Sequence, residues 1–217
     1  MTEYNVSDIV KDVRTILELN VTSDWLTEVG DTETLSLDKL IKSKIEDGAY
    51  VVEMQASHRL LDGESFKDKG ITYDGKGFGY IKLPKDFARL VIFQMNSWLV
   101  PVFEAVYPED AAYPMLRSKY GCVSGNYEKP AVAITNNEDN TNIGLMLEFY
   151  TTRDMKNDTI AHAVYIPTPS IENDKVKLCY RLYRPILYSI ASLVALTYKD
   201  NDLYNAFQQT IKSLITI

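Results

Sequence analysis

Two histidines, two cysteines and one glycine-rich segment are the features of this 217-residue chain whose residue types could do chemistry. His58 and His162 lie far apart in the sequence, and neither has other ligands at the spacing that a metal site needs. Cys122 and Cys179 are too few for a disulfide framework or a four-thiolate site, so we expect two reduced thiols. The sequence therefore predicts no metal site and no cofactor.

Residues 75–79, with the sequence Gly-Lys-Gly-Phe-Gly, have the composition of a phosphate-binding loop. They precede a predicted strand, however, whereas phosphate loops lead into a helix N-terminus whose amides face the anion. We therefore interpret them as a flexible hairpin. The chain also lacks the nucleophile, zinc-protease and P-loop signatures of enzymes, so we expect a protein that is not an enzyme.

The net charge of −7 is unevenly distributed. Residues 1–57 carry twelve acidic and five basic side chains, whereas the rest of the chain carries eighteen of each. A negative surface repels phosphate, which disfavours tight binding of nucleic acid. An acidic face that serves only solubility explains the excess equally well.

Helical periodicity is confined to the two ends of the chain. Residues 7–19 place apolar side chains at helical spacing. A second helix with one continuous apolar stripe is predicted over residues 36–56, and Gly48 inside it predicts a close approach by a neighbouring backbone. Two further helices are predicted over residues 185–198 and 203–214.

Between the helical ends, scattered glycines over residues 61–79 predict an exposed loop or irregular hairpin, after which the period becomes two. The predicted strands cover residues 79–83, 88–95, 131–135, 144–151, 159–166 and 175–178. We therefore expect an α+β fold in which N- and C-terminal helices form a bundle, with an inserted antiparallel β-sandwich or barrel domain. The expected parts are the N-terminal helices (1–60), the inserted β domain with its loops (61–178), and the C-terminal helices with an apolar tail (179–217).

Two groups of residues are predicted to contact a neighbouring subunit or partner. Tyrosine combines a large contact area with a polar tip, which suits interfaces, although tyrosines also cap the edges of β cores. The tail from residue 211 is apolar and β-branched, so it either folds back on the bundle or docks on a neighbouring subunit. The predicted interface residues are Tyr107, Tyr113, Tyr120, Tyr127, Leu214, Ile215 and Ile217.

The stretch from Tyr80 to Val102 reads as a strand, a sharp corner at residues 83–86, and a second apolar strand that ends near a tryptophan. We expect the corner to mark the passage from the helical bundle to the β block. The residues of this stretch that we expect to form the scaffold of the β core are Pro84, Phe87, Leu90 and Trp98.

Several segments together resemble the head–tail adaptor (connector or head-completion) proteins of tailed bacteriophages, especially those of short-tailed and crAss-like phages. These segments are the helix at residues 8–14, the long helix at 38–53, the Leu-Pro-Lys-Asp-Phe-Ala-Arg-Leu phrase at 83–90, Trp98 with the following Pro-Val, and the closing helices at 182–198. The resemblance implies a non-enzymatic virion protein that forms a ring, commonly of twelve copies, beneath the portal vertex.

Such a ring connects the portal to the tail and surrounds the channel through which DNA is ejected. The implied partners are other copies of the chain, the portal protein, other tail ring proteins, and DNA that passes without sequence-specific binding; no membrane is implied. The protein would be made in the bacterial host cytoplasm and reside at the head–tail junction of the virion. A negative lumen along which DNA slides fits the acidic N-terminal region. The alternatives are a ligand- or glycan-binding β module associated with a phage tail, and a hydrolase of unrecognised family.

Overall fold

A computed structural model describes residues 1–20, 36–73, 78–116, 126–136, 144–150 and 158–216. The fold is mixed α and β with antiparallel sheets, as the sequence predicts. The chain divides into two compact units, of which unit 1 comprises Met1–Asp62 with Thr168–Ile217, and unit 2 comprises Gly63–Pro167.

The helices and strands follow one another along the chain in an order that returns to helix at the end. They are β1 (Thr2–Asn5), α1 (Val6–Asn20), α2 (Leu37–Ser43), α3 (Ile45–Gln55), β2 (Glu64–Ser65), β3 (Ile71–Tyr73), β4 (Phe78–Lys82), β5 (Phe87–Met95), α4 (Tyr113–Leu116), β6 (Val132–Asn136), β7 (Leu145–Tyr150), β8 (Ile160–Pro167), β9 (Ile171–Glu172), β10 (Lys175–Leu178), α5 (Tyr183–Thr197) and α6 (Asn201–Ile215). Short 3-10 helices at His58–Leu60 and Tyr180–Leu182 follow α3 and precede α5.

Unit 1 is organised around α5, which packs against α1, α2, α3 and α6. Apolar or small buried residues occur on most positions of α5, as expected of a helix that has neighbours on several sides. The predicted close approach at Gly48 is confirmed, because a Cβ atom there would lie 2.7 Å from Ile190 Cγ1 and 3.1 Å from the Ile190 amide nitrogen.

The helix predicted over residues 36–56 is wrong as a single element, because it is interrupted at Lys44, whose amide donates to the Ile41 carbonyl at 2.9 Å, and a second helix follows. Ser36 caps α2, since its hydroxyl accepts a hydrogen bond from the Lys39 amide at 3.4 Å. Ile41 and Ile45 lie on either side of the turn, and both are fully buried. The apolar stripe therefore continues across the break, which is why periodicity does not reveal it.

The predicted strand at residues 175–178 exists as β10, but its partners are β1 and β9, in a sheet of unit 1. The prediction had placed this strand in the inserted β domain, which in the structure corresponds to the unit ending at Pro167. Asn173 and Asp174 have φ values of 51° and 58°, as a two-residue type I′ hairpin turn between β9 and β10 requires. Strands β1 and β9 are too short and polar for their pairing to be recognised in the sequence.

Unit 2 contains two antiparallel sheets, one with the strand order β2-β8-β5 and the other with the order β3-β4-β7-β6. One hydrophobic cluster takes side chains from both sheets, including Phe93 and Tyr165 from the first, and Ile81, Leu147 and Phe149 from the second. The five strands predicted between residues 79 and 166 are confirmed as β4 to β8. The exposed loop or irregular hairpin predicted over residues 61–79 is confirmed in part, because β3 pairs antiparallel with β4. The prediction did not include β2 and β3 as strands, which add to the two sheets at their edges.

The corner at residues 83–86 connects β4 of one sheet to β5 of the other. A turn forms here, in which the Phe87 amide donates to the Pro84 carbonyl at 3.2 Å. Both sides of the corner lie in unit 2, so the expected passage from helical bundle to β block at this point is wrong. The corner instead separates two consecutive strands, β4 and β5, that belong to different sheets of unit 2.

Candidate interaction surface

Unit 2 exposes large hydrophobic side chains from one stretch, residues 99–115, which we call the 99–115 segment. The exposed fractions are 66% for Leu99, 45% for Val100, 47% for Phe103, 44% for Tyr107 and 55% for Met115. No other described residue of unit 2 is an exposed large hydrophobic residue. Apolar exposure concentrated in one stretch is typical of a surface that contacts another molecule.

Backbone hydrogen bonds hold the first part of the 99–115 segment in place. Val102 pairs with Phe93 of β5 through two backbone hydrogen bonds of 2.8 Å, and the Leu99 amide donates to the Tyr127 carbonyl at 2.9 Å. Trp98 and Val102 point inward and are buried. Because the backbone is already ordered, this part would lose little conformational entropy when it binds a partner.

The second part of the segment is held in the same way. The Val106 amide donates to Val132 of β6 at 2.9 Å. Asp110 fixes the turn before α4, since its carboxylate accepts a hydrogen bond from the Tyr107 amide at 2.8 Å. Leu116 at the end of α4 is buried in a small cluster with Tyr150, while its neighbour Met115 faces outward. The outward side chains of this part are thus presented by an anchored backbone.

The segment is acidic as well as apolar. Residues 96–116 include Glu104, Glu109 and Asp110 but no lysine or arginine. Arg89 of the neighbouring β5 is partly desolvated, which lowers the pKa of its guanidinium, while the charge of Glu104 opposes that shift. A surface of this composition is complementary to a partner that combines apolar and basic groups.

The predicted interface tyrosines have different environments. Tyr107 is exposed in the 99–115 segment, whereas Tyr113 is half-buried against the cluster that contains Leu116. Tyr127 is half-buried against the main cluster of unit 2, and its carbonyl anchors Leu99. Tyr120 lies outside the described residues.

The sequence interpretation missed the exposed aliphatic and aromatic members of the segment: Leu99, Val100, Phe103 and Met115. Their signal was present, since Leu99, Val100 and Phe103 belong to an apolar run that begins at Trp98.

Two of the predicted tail residues, Leu214 and Ile215, belong to α6 of unit 1. Ile211 and Ile215 are buried and Leu214 is half-buried, while Ile217 lies outside the described residues. The Phe207 ring of α6 packs 5.8 Å from the Tyr188 ring of α5. Ile215 therefore contributes to the packing of unit 1 and not to an exposed surface.

The four predicted scaffold residues lie at the corner and in the core of unit 2. Phe87, Leu90 and Trp98 are buried, and Pro84 is half-buried in the turn. The Trp98 ring packs edge-on against Phe93 and Phe149, with ring centroids 5.6 and 6.3 Å apart. These contacts support the strands from which the 99–115 segment projects.

Unit 1 contains a buried polar contact between Glu53 and Cys179. Glu53 of α3 is buried, and its carboxylate accepts a hydrogen bond from the Cys179 amide at 3.1 Å. Burial raises the pKa of Glu53 to about 7, and the hydrogen bonds from Cys179 oppose that shift. Burial also raises the pKa of the Cys179 thiol, so this thiol is a poor nucleophile at neutral pH.

A surface cleft of about 560 Å³ lies in unit 1 between the start of α1, α2 and the β9–β10 turn. Its charged side chains have both signs, and Lys42 and Asp174 form an ion pair of 2.5 Å at its edge.

His162 lies on the exposed face of β8, and His58 lies in a 3-10 helix of unit 1. Across the described ranges, no three histidine, cysteine or carboxylate residues converge as metal ligands would.

No model of a known protein family matches the sequence, and no curated protein matches it either. In the part of the chain that the structure describes, no helix is both long enough and apolar enough to cross a membrane.

Proposed function

We propose that this chain is a structural virion protein, a head–tail adaptor whose copies form a ring between the portal vertex and the tail of a bacteriophage. The observation that carries the proposal is the 99–115 segment, an apolar surface mounted on a hydrogen-bonded backbone. Subunits that assemble permanently need such surfaces, whereas apolar exposure of this kind is an aggregation hazard for a protein that stays alone.

The sequence resemblance described above supports the same function. It includes the phrase at residues 83–90, whose aromatic and aliphatic members pack in the core of unit 2. In the proposed fold, the helices around α5 form a bundle, and the two sheets of unit 2 form a β-sandwich inserted into it. Unit 2 would then present the 99–115 segment to a neighbouring subunit.

In the proposed assembly the ring has twelve copies and contacts the portal on one side and another tail ring on the other. DNA passes through the channel without sequence-specific contacts. The acidic excess in residues 1–57 would help this passage, because negative groups repel the phosphate backbone.

The rival function, a glycan-binding module of the tail, gains no support from Trp98. Sugar sites commonly use an exposed indole face as a stacking platform, but Trp98 is buried among Phe93 and Phe149. Trp25 lies outside the described residues.

The experiment that tests the proposed function is the mass of the purified protein, alone and mixed with portal rings, by native mass spectrometry and negative-stain microscopy. A closed ring, or a ring that forms only on the portal, is the expected result. A chain that stays monomeric in both samples, at concentrations up to about 100 µM, contradicts the proposal. Retention on a glycan array by such a monomer would favour the tail-associated rival.

A further inference from the structure

Unit 1 carries a basic and aromatic surface group that the sequence interpretation did not identify. It consists of Arg59, Tyr180, Arg181 and Arg184, and we call it the arginine–tyrosine cluster. All four residues are exposed, and Tyr180 at 69% has the highest exposed fraction among the exposed large hydrophobic residues of the described chain. Residues 175–184 contain four basic residues and no acidic residue, which is the signal that the sequence offered.

One direct contact joins two of the four residues, and Tyr180 and Arg184 lie within three residues of Arg181 in the sequence. Arg181 Nη1 donates to the Arg59 carbonyl at 2.8 Å, which joins the two 3-10 helices of unit 1. The Arg184 guanidinium lies 5.9 Å from the centre of the Tyr188 ring. Asp62 lies beside the cluster, and its carboxylate accepts a hydrogen bond from the Tyr180 amide at 3.5 Å. The cluster therefore remains predominantly basic.

The position of Arg184 is unfavourable for the stability of its own helix. Arg184 lies in the first turn of α5, where no acidic residue is present. A positive charge near a helix N-terminus interacts unfavourably with the helix dipole. A benefit elsewhere, such as a contact with an acidic partner surface, would explain why a basic residue occupies this position.

The 99–115 segment of unit 2 has the complementary composition. It carries the acidic residues Glu104, Glu109 and Asp110 together with the exposed apolar side chains described above. We propose that, in the ring, the arginine–tyrosine cluster of one copy docks on the 99–115 segment of the next copy. This inference rests on the proposed function, since it identifies the two surfaces through which the ring closes.

The chemistry of the two surfaces accounts for a specific contact. Arginine pairs with carboxylates through two parallel N–H···O hydrogen bonds, which fixes both distance and orientation. Tyrosine and arginine are also the residue types that contribute most to binding energy in protein interfaces, and Tyr180 would pack on the apolar side chains of the segment. Because the two surfaces are different, the contact is head-to-tail. Head-to-tail contacts form a closed ring when the rotation that relates neighbouring copies divides a full turn into a whole number of steps.

A nucleic acid is the other occupant that arginine and tyrosine could bind, through phosphate contacts and base stacking. The presence of an apolar, acidic surface on the same chain favours a second copy, because only a protein partner uses both surfaces at once. Binding of nucleic acid is therefore an outcome of the test below.

The test uses two variants of this chain with reversed charges. Variant A carries Arg181→Glu and Arg184→Glu, and variant B carries Glu104→Arg and Glu109→Arg. In variant A both surfaces carry negative charges, and in variant B both carry positive charges. We therefore expect the association between copies to be at least tenfold weaker in each variant alone. An equimolar mixture restores both contacts in alternating copies, so rings should reappear with equal amounts of A and B. Native mass spectrometry measures both results.

A matched control is Lys67→Glu with Lys69→Glu, which changes the net charge as variant A does, in an exposed turn of unit 2. It should assemble like the unchanged protein, and circular dichroism should show that all variants are folded. The inference is overturned if folded A and B each assemble normally, or if their mixture stays unassembled. It is also overturned if variant A keeps its ring but loses retention of duplex DNA. If the unchanged protein forms no ring, alone or on the portal, the proposed function itself fails.

Discussion

The Tyr165 hydroxyl donates a hydrogen bond to the Asp86 carboxylate over 3.1 Å and thereby ties the corner between β4 and β5 to β8. The Tyr165 ring also stacks on Phe87, with ring centroids 5.7 Å apart. Burial, together with the charge of Asp86, raises the pKa of the Tyr165 hydroxyl, so it remains a hydrogen-bond donor at neutral pH. One side chain therefore connects the turn to the core of unit 2.

We predict that Tyr165→Phe lowers the free energy of unfolding by about 1 kcal/mol, because the ring packing stays while the hydrogen bond to Asp86 is lost. Urea unfolding monitored by circular dichroism measures the change. Tyr80→Phe is the matched control on β4, and its loss should stay within about 0.5 kcal/mol. Equal effects of the two substitutions would show that the Asp86 contact contributes nothing measurable.

The raised pKa of Glu53 leads us to predict that the free energy of unfolding depends on pH. Its pKa rises from the ordinary value of 4.5 to about 7 on folding, mainly because the carboxyl is buried. Between these pH values the folded state holds a proton that the unfolded state has released, so stability falls as pH rises from about 4.5 to about 7. The whole loss is of the order of 3 kcal/mol. The charged or titratable groups that face Glu53 are Asp62, the Cys179 thiol and the amino group of Met1.

We therefore expect Glu53→Gln to flatten this part of the pH profile and to stabilise the protein at pH 8 by about 1–3 kcal/mol, with little change at pH 4. Thermal unfolding of both proteins at a series of pH values measures the difference in their pH profiles. Glu172→Gln, on the exposed hairpin of unit 1, is the control that should keep the original profile. A Glu53→Gln profile with the unchanged slope would refute the assignment.

Gly48→Ala tests the close approach of α3 to α5. Alanine favours a helix by about 1 kcal/mol over glycine, but its Cβ atom would lie 2.7 Å from Ile190 Cγ1 and 3.1 Å from the Ile190 nitrogen. We expect a net destabilisation of about 1–2 kcal/mol, because backbone atoms of α5 must shift. Gly70→Ala has no heavy atom within 4 Å and should change stability by less than about 0.5 kcal/mol. A stabilised Gly48→Ala variant would contradict the close packing.

Trp98 and Leu99 are neighbours in the sequence with opposite exposures. Trp98→Ala should lower the free energy of unfolding by about 3–5 kcal/mol, because it leaves a cavity beside Phe93 and Phe149. Leu99→Ala should change stability by less than about 0.5 kcal/mol but should weaken assembly. Chemical denaturation and native mass spectrometry separate the two effects. Normal assembly of the Leu99→Ala protein would show that Leu99 is not part of the interface.

Local patterns predicted much of this fold. The strands from β4 to β8 and the helices α1, α5 and α6 follow from residue spacing, because each buries one face or stripe within a single segment. The break at Lys44 and the pairing of β1 with β10 were missed. The β1–β10 pairing joins residues that are distant in the sequence, so no local pattern reports it. At Lys44 the apolar stripe continues across the break, so periodicity does not reveal the break either.

The candidate surfaces show the same division. The sequence by itself determined that residues around 98–116 are apolar and acidic, and that residues 175–184 are basic. Only the tertiary structure decided that Trp98 and Val102 turn inward while Leu99 and Phe103 face solvent, because that choice depends on the hydrogen bonds of Val102 to Phe93. It likewise placed Arg59 beside Arg181, more than a hundred residues away in sequence, through one backbone carbonyl. Composition is a property of the chain, whereas exposure depends on which distant strands and helices pack against each residue.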